Sequence, residues 1–276
     1  MKHFTTFSVV VLLTLPFLFL SCNDDDDDNG ASPNDAQNQT GNVTFSFSHN
    51  IDGQYLLFDS MKYTNKAGEQ YGVKKLEYIL TDFRLFKANG SIVAYDTSHY
   101  VNPNKDGTKS LTFENLPKGD YNAMAFTFGI DSSKNQTNKL PNTQNFNNMS
   151  WPEINGGGYH YMRMNGVHDS SGSEDGFTTH LGHSKKWDMS TNPPSPTGPL
   201  QDFSFEVKID NINLSVNDNT WKLMVGMDLN KWYENPNTYK FSSLENEGIM
   251  MNQTIQQTLM ENGRKDLFSL KSKKQQ

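Results

Sequence analysis

Alternation of apolar and polar residues with a period of two is the feature that most constrains how this chain folds. Val43, Phe45 and Phe47 lie on one side of such a run, with Thr and Ser between them, and His49 falls on the same apolar side. This pattern is typical of a half-buried β-strand. Further strand-like runs cover residues 71–73, 76–86, 91–95, 121–128, 159–164, 203–209 and 221–229. Many short strands separated by Gly, Asn and Pro predict an all-β, antiparallel sandwich or barrel-like domain.

One segment near the C-terminus has helical spacing instead. Ile255, Leu259 and Met260 recur at helical intervals, and an Asn-Gly pair, a common helix stop, follows them. Two long polar stretches, 132–158 and 183–201, interrupt the strands. Long loops in a compact domain are commonly functional. We therefore predict a single β domain with long loops and a short C-terminal helix.

The first 21 residues have the organisation of a secretory signal. Lys2 and His3 precede a short apolar run at 7–20, and Cys22, the only cysteine of the 276 residues, follows it. A basic start, a short apolar stretch and a small residue before the cleavage point are typical of such signals. The segment FLFLSC resembles a bacterial lipobox, so we expect Cys22 to be acylated and to anchor the protein in a membrane. An ordinary signal with an unrelated free cysteine is the alternative.

Residues 22–41 are acidic and polar. The five consecutive aspartates at 24–28 repel one another and stay solvated, and the residues after them offer almost nothing to bury. This predicts a disordered tether, with the β domain at 42–276. Acid-rich runs directly after a lipidated cysteine resemble the export signal of Bacteroidetes surface lipoproteins. That resemblance implies an outer-membrane lipoprotein on the cell surface; the inner face of the outer membrane is the alternative.

The charge distribution argues against a nucleic-acid partner. The formal net charge is −7, and removing the signal takes away only Lys2, which leaves −8. Five of those negative charges belong to the aspartate run. The folded part is therefore close to neutral and has no basic stripe of the kind that binds phosphate backbones.

Catalysis and calcium binding have weaker sequence support. There is no GxSxG nucleophile motif, and no carboxylate pair is singled out for acid–base work, so we expect a binding protein and not an enzyme. Asn102, Asn104 and Asp106 alternate before Gly107, as in the first half of a calcium loop. The acidic residue that would complete an EF-hand is missing, and a simple turn is the other interpretation. The segment SGSEDG at 171–176 has the same two interpretations.

The histidines provide candidate metal ligands. His180 and His183 lie three residues apart in GFTTHLGHSKKW, and imidazole is the commonest metal-binding side chain. In YHYMRM, the residues His160, Met162 and Met164 alternate, which would place an imidazole and two thioethers on one strand face. Imidazole suits copper, and thioether sulfur favours the cuprous ion. For the two methionines, a place in the hydrophobic core is the alternative.

Six motifs together resemble the MbnP-like family, the secreted copper-associated proteins related to MopE and CorA. In chain order they are VTFSFSHNIDGQ, YTNKAGEQYGVKKLEYILTDFRL, LPKGDYNAMAFTFGID, MSWPEINGGGYHYMRMNG, FTTHLG and NQTIQQTLMENGRKDLFSL. They extend through most of the mature domain. The resemblance implies a β-rich extracellular domain that binds one copper ion through histidine nitrogens.

The resemblance also implies site residues and partners. The expected copper ligands are His49 and His180, with His160 or His183 and Trp151 as helpers. Trp151 matches the tryptophan-bearing loop of the family, and His180 matches its aromatic-x-x-His-Leu-Gly strand. In the family a tryptophan oxidised to kynurenine completes the site, and the oxidation is assigned to a dihaem peroxidase-like partner. A TonB-dependent receptor is the other implied partner.

These features together predict a cell-surface lipoprotein that binds copper for acquisition, storage or handling. The alternative is a glycan- or protein-binding surface lipoprotein without a metal, in which aromatic side chains form a stacking platform. The position of the tryptophans separates the two functions. Trp151 close to His180 favours a metal site, whereas Trp151, Trp187 and Trp232 along one exposed groove favour a sugar.

Overall fold

The computed structural model describes residues 40–243 and 248–276 of the chain. The predictions for the signal segment, for Cys22 and for residues 22–39 of the tether lie outside the described residues. In the described part, no helix combines the length and the apolar character needed to span a membrane.

The described chain is built mainly of β-strands. In chain order they are β1 (Thr40–Ile51), β2 (Gln54–Tyr55), β3 (Tyr63–Thr64), β4 (Gln70–Lys87), β5 (Ile92–Val101), β6 (Ser110–Pro117), β7 (Gly119–Phe128), β8 (Met162–Ser170), β9 (Ser173–Leu181), β10 (Ser184–Asp188), β11 (Ser195–Gln201), β12 (Phe205–Val216), β13 (Thr220–Asp228) and β14 (Phe268–Gln275). The α-helices are α1 (Gln144–Asn147) and α2 (Gln253–Gly263), and 3-10 turns lie at Glu153–Asn155, Leu229–Tyr233, Phe241–Ser243 and Ile249–Met251. The all-β class and the short C-terminal helix are confirmed.

The strands form two packed sheets and a separate hairpin. The larger sheet has the order β12-β7-β4-β8-β9, with β3 and β5 also paired to β4. The smaller sheet has the order β14-β13-β1-β2, with β6 also paired to β1. Within these sheets the β1–β13 pairing is parallel and the other described pairings are antiparallel. Strands β10 and β11 form the separate hairpin.

Aromatic side chains join the two sheets. Phe45 of β1 stacks on Phe83 of β4 with ring centroids 6.3 Å apart, and Phe126 of β7 meets Phe268 of β14 edge-on at 5.2 Å. Such pairs contribute about 0.5–1.5 kcal/mol each beyond the area that they bury. The alternating apolar residues of the sequence thus form the core between the sheets.

The folded part begins before the predicted end of the tether at residue 41. Thr40 and Gly41 already belong to β1 and pair with Pro117 and Leu116 of β6. Gly41 lies so close to its neighbours that a Cβ atom would come within 2.5 Å of the Asn217 carbonyl oxygen. A contact of this kind uses backbone and leaves no apolar alternation, so the sequence pattern could not indicate it.

At residues 102–108 the structure favours the turn interpretation over a calcium loop. The chain at 102–108 is a turn in which the Thr108 hydroxyl accepts a hydrogen bond from the Asn102 amide at 3.0 Å and donates one to its carbonyl oxygen at 2.9 Å. The Asp106 side chain is 96% exposed and pairs with Lys109. The segment 171–176 contributes instead to the β8–β9 hairpin. Residues that alternate in sequence are therefore not gathered around one point.

Candidate metal centre

A glycine-rich loop buries Trp151. The three glycines at 156–158 have φ values of 112°, 68° and 80°, which side chains with a Cβ atom rarely adopt. They let the loop fold back so that the Trp151 amide donates to the Gly158 carbonyl at 2.9 Å. The indole Nε1–H donates to the Asn155 carbonyl at 3.2 Å. The ring lies on Gly182, where a Cβ atom would come within 2.8 Å of it.

His160 presents a buried nitrogen without a partner beside this tryptophan. Its ring meets Trp151 edge-on with centroids 4.6 Å apart. Its Nδ1 lies 3.1 Å from the Met149 carbonyl, so Nδ1 carries the proton and Nε2 keeps a lone pair. That Nε2 atom is buried and has no hydrogen-bond partner among the described residues, which is uncommon and needs an explanation. Metal-binding histidines typically donate their other N–H to a carbonyl oxygen in this way.

His180 faces His160 at the edge of the larger sheet. The two rings are nearly perpendicular, with centroids 5.1 Å apart. His180 lies on β9 opposite Arg163 of β8, and its Nε2 is 3.4 Å from Asn165 Oδ1, which is a long and weak hydrogen bond. The structure therefore brings together a pair of imidazoles with little competition for their nitrogens.

Both imidazoles are neutral at physiological pH. Burial, helped by the nearby His180, lowers the pKa of His160 to about 3. Burial also lowers the pKa of His180 to about 4, with contributions from the positive charges of Arg163 and Lys75. Only the neutral imidazole coordinates a metal. The pair is therefore in its ligand form without any change of protonation.

His183 also lies near Trp151, at a greater distance than His160. It is a fully buried residue between β9 and β10, and its ring centroid is 6.4 Å from that of Trp151 and 6.3 Å from that of Tyr161. Its Nε2–H donates to the Gly157 carbonyl at 2.7 Å. His183 therefore ties the glycine-rich loop to the end of β9, which keeps Trp151 in place.

His49 does not join the pair, contrary to the expected ligand set. Its Nε2 lies 2.9 Å from the Tyr78 hydroxyl in the core between the two sheets. Tyr78 pairs with Met162 of β8, which in turn pairs with Leu181 of β9. His180 precedes Leu181, and successive side chains of a strand point to opposite faces. His49 and His180 thus lie on opposite faces of the larger sheet.

Replacing His49 by leucine is expected to leave copper binding unchanged and to reduce stability. The substitution removes the hydrogen bond of a buried hydroxyl, Tyr78 Oη, which costs about 1–3 kcal/mol. Urea unfolding of the two proteins checks the stability, and copper titration checks the site. Loss of copper binding in a folded H49L protein would contradict the placement of His49 in the core.

The two methionines of YHYMRM do not share a face with His160. Met162 and Met164 are fully buried in the core, whereas His160 contacts His180 on the opposite side of the sheet. The chain bends at Tyr161 before β8 begins at Met162. This bend breaks the period-two alternation that the prediction assumed, and the core interpretation of the methionines is correct.

Gln256, which no sequence prediction named, holds the strand end that carries His180. This fully buried side chain donates to the carbonyl oxygens of His180 at 2.7 Å and Ile249 at 2.9 Å. Its Oε1 accepts a hydrogen bond from the Gly182 amide at 3.0 Å. A signal existed in the sequence, because a glutamine next to Ile255 on the apolar side of α2 is unusual and indicates buried polar partners.

Replacing Gln256 by leucine is expected to weaken both the fold and copper binding. It leaves three backbone groups without this partner, and each buried group left unpaired costs about 1–3 kcal/mol. Copper affinity should fall by about 10–100-fold, as for other residues that position metal ligands. Gln257→Leu is the matched control, since Gln257 bonds only to side chains, those of Gln201 and Glu261. Equal effects of the two substitutions would contradict the positioning role.

A cavity of about 340 Å³ opens beside His180. Its wall is mostly apolar and includes Ile154, Ile249, Met250 and Met251. The His160–His180 pair therefore has a protein wall on the side of Trp151 and an open space at His180.

The geometry fits a two-nitrogen site better than a larger one. In residues 40–243 and 248–276, no group of three or more His, Cys, Asp or Glu side chains could hold a metal ion. The residues that fit best are His160 and His180, because their rings are in contact with each other. His183 Nδ1 is also buried without a partner among the described residues, but the His183 ring contacts Trp151 and Tyr161 instead. These two side chains would supply neutral imidazole nitrogens to an ion that accepts such ligands.

The tryptophans do not form the stacking platform of the alternative function. Trp151 and Trp232 are 2% and 0% exposed, and the half-buried Trp187 donates its Nε1–H to the buried Asn155 side chain at 3.0 Å. Trp151 instead contacts His160, which contacts His180. Because Trp151 lies with the histidines and not in an exposed groove with the other tryptophans, this arrangement favours a metal site over a glycan groove.

Fold and site together define a β-sandwich protein with a histidine pair packed against a buried tryptophan. The MbnP family model matches residues 40–252, most of the chain. The chain belongs to the MbnP family, and the resemblance drawn from its motifs is confirmed. Among solved structures, MbnP from Methylosinus trichosporium is similar, with 13% sequence identity and a TM-score of 0.49 over 74% of this chain and 80% of that chain. Comparison with curated proteins gave no match.

Proposed function

We propose that this protein binds one copper ion through His160 and His180 and serves in copper acquisition, storage or handling, without catalysis. The observation that carries the proposal is the buried His160 Nε2, which has no partner among the described residues, on a ring whose centroid is 5.1 Å from that of His180. Membership of the MbnP family supports copper as the metal. Imidazole nitrogen is a ligand that copper readily accepts.

The surroundings of the pair favour a monovalent over a divalent ion. Arg163 and Lys75 are close enough to lower the pKa of His180, and Glu77, which pairs with both, offsets one of the two positive charges. Residual positive charge repels a divalent ion about twice as strongly as a monovalent one. Two neutral nitrogens in a buried setting therefore suit the cuprous ion.

Trp151 has a defined place in this proposal. Oxidation of an indole to kynurenine exposes an aromatic amine, a nitrogen donor that tryptophan lacks. The ring of Trp151 lies beside that of His160, with centroids 4.6 Å apart. A dihaem peroxidase-like partner would carry out that oxidation, as the family resemblance implies. Without the oxidation, Trp151 shields the histidine pair from solvent.

The proposal also includes the location of the protein. Acylation of Cys22 would anchor the domain in the outer membrane of a Bacteroidetes-type cell, and the aspartate run would direct it to the cell surface. A TonB-dependent receptor is then a candidate neighbour. Labelling of intact cells with a membrane-impermeant reagent would distinguish surface display from the inner face of the outer membrane.

Metal content and intact mass of the mature protein, purified from its native host grown with copper, test the function. One copper per chain is expected, together with a mass on the Trp151 peptide that reports whether kynurenine is present. A metal-free protein that also fails to take up added cuprous ion would overturn the proposal. Apo protein loaded with zinc under the same conditions serves as the control for a nonspecific histidine site.

A further inference from the structure

Three methionines line two cavities near His180. Met250 and Met251 line the cavity beside His180. Met251 also lines a second cavity of about 250 Å³, which Trp187 and Met189 border. The Met189 side chain is 54% exposed. Met251 thus lines both cavities, and among the described residues His180 is the histidine of the inner cavity wall.

The backbone around the two inner methionines is held firmly while their side chains stay adaptable. The Met250 carbonyl accepts hydrogen bonds from the Ser184 hydroxyl at 2.8 Å and from the Asn155 side chain, and the Met251 amide donates to the Gly248 carbonyl at 2.7 Å. An unbranched thioether side chain can change rotamer within a fixed backbone frame. A fixed backbone with adaptable side chains suits groups that bind an ion and then release it.

A metal ion needs a route to His160, because that residue is only 6% exposed. Both methionines are partly buried and a leucine would cover a similar apolar area, so packing does not itself require a thioether at these positions. Thioether sulfur selects cuprous ion over harder divalent ions. The cavity also ends at His180, whose ring contacts His160.

We propose that Met189, Met251 and Met250 form an access route that captures cuprous ion at the surface and passes it to His180 and His160. The inference rests on the proposed function, because it assigns the loading path of the same site. The ion stays cuprous throughout, and one thioether or imidazole ligand replaces another at each step. No oxidant, reductant or proton transfer is required.

Loading kinetics test the route. Cuprous ion is transferred anaerobically from a chromophoric cuprous chelate to the apo protein, and release of the free chelator is followed by stopped-flow absorbance. In M250L/M251L the transfer should be slowed by about tenfold or more, which corresponds to about 1.4 kcal/mol in the barrier, while the final stoichiometry stays at one. Met61→Leu, a partly buried methionine outside both cavities, is the matched control, and M251L alone serves if the double variant folds poorly.

Trapping the ion on the route provides a second readout. In selenomethionine-labelled H160A protein the inner acceptor is missing. Cuprous ion supplied at a concentration that fills the weakened site should therefore show copper–selenium scattering in X-ray absorption. Three results together would overturn the route and leave the proposed function intact. In that case the wild-type protein loads copper, the M250L/M251L variant loads it as fast, and H160A shows no selenium scattering. A wild-type protein that takes up no cuprous ion would overturn both.

Discussion

Replacing His180 by alanine is expected to abolish stoichiometric copper binding, and replacing His160 should do the same. Each substitution removes one of two imidazoles whose rings are 5.1 Å apart, and a single remaining nitrogen cannot hold the ion against water and buffer. Affinity should fall by more than about 100-fold, beyond what the loss of a residue that merely positions a ligand produces. Competition with a chromophoric cuprous chelator measures the change.

The control for this prediction is His99→Ala. His99 is also a partly buried histidine, but it lies on β5 with its Nε2 3.0 Å from the Thr108 carbonyl. H99A should bind copper as the wild type does. Removing a buried side chain can also destabilise the fold. The variants H160Q and H180Q are therefore measured as well, because glutamine keeps a side chain at each position. Retention of one tightly bound copper by a folded H180A protein would show that the ion is held elsewhere.

Lowering the pH from 7 to 4 is expected to destabilise the metal-free protein steeply. The pKa values of His49, His160 and His180 are about 3, 3 and 4 in the folded protein, against 6.5 for an exposed histidine. Below pH 6.5 the unfolded chain binds protons at these residues and the folded chain does not. Each histidine then removes roughly 1.4 kcal/mol of unfolding free energy per pH unit.

The sign follows from the direction of the shifts. All three pKa values are lowered by burial as the first cause, so their contribution to stability is fully present above pH 6.5. It is lost as the pH falls and is exhausted only below about pH 3–4, where the folded protein also becomes protonated. Urea denaturation at pH 7, 6, 5 and 4.5 measures the slope.

Copper loading and the H160Q/H180Q double substitution test whether the effect of pH on stability comes from the histidine pair. A cuprous ion competes with protons for His160 and His180, so the loaded protein should stay stable to pH 5, where an ordinary histidine site is mostly protonated. In H160Q/H180Q the change of unfolding free energy with pH should be smaller, because only His49 and the other titratable groups still contribute to it. A slope that is the same in this variant as in the wild type would mean that the pair does not stay neutral in the folded state.

The sequence predicted the strands well because burial on one face of a strand is a local property. The alternation around Val43, Phe45 and Phe47 survives in β1, whose burial pattern also alternates. Likewise, the spacing of Ile255 and Leu259 correctly indicates α2. The family motifs also included Trp151 and His180, and both residues lie in the candidate metal centre. These features depend on residues that lie next to one another along the chain.

Only the tertiary structure decided which histidines meet. The period-two pattern placed His49 on the apolar side of β1 but could not show that this side faces Tyr78 across the core. The bend at Tyr161 turns His160 away from the face of Met162, and the pairing of β8 with β9 sets His180 beside it. Contacts of Gln256 with the end of β9 cross more than seventy residues of chain. Sequence patterns determine which side of a strand is buried, but strand register and chain packing determine which buried groups face each other, because those distances are set by the fold as a whole.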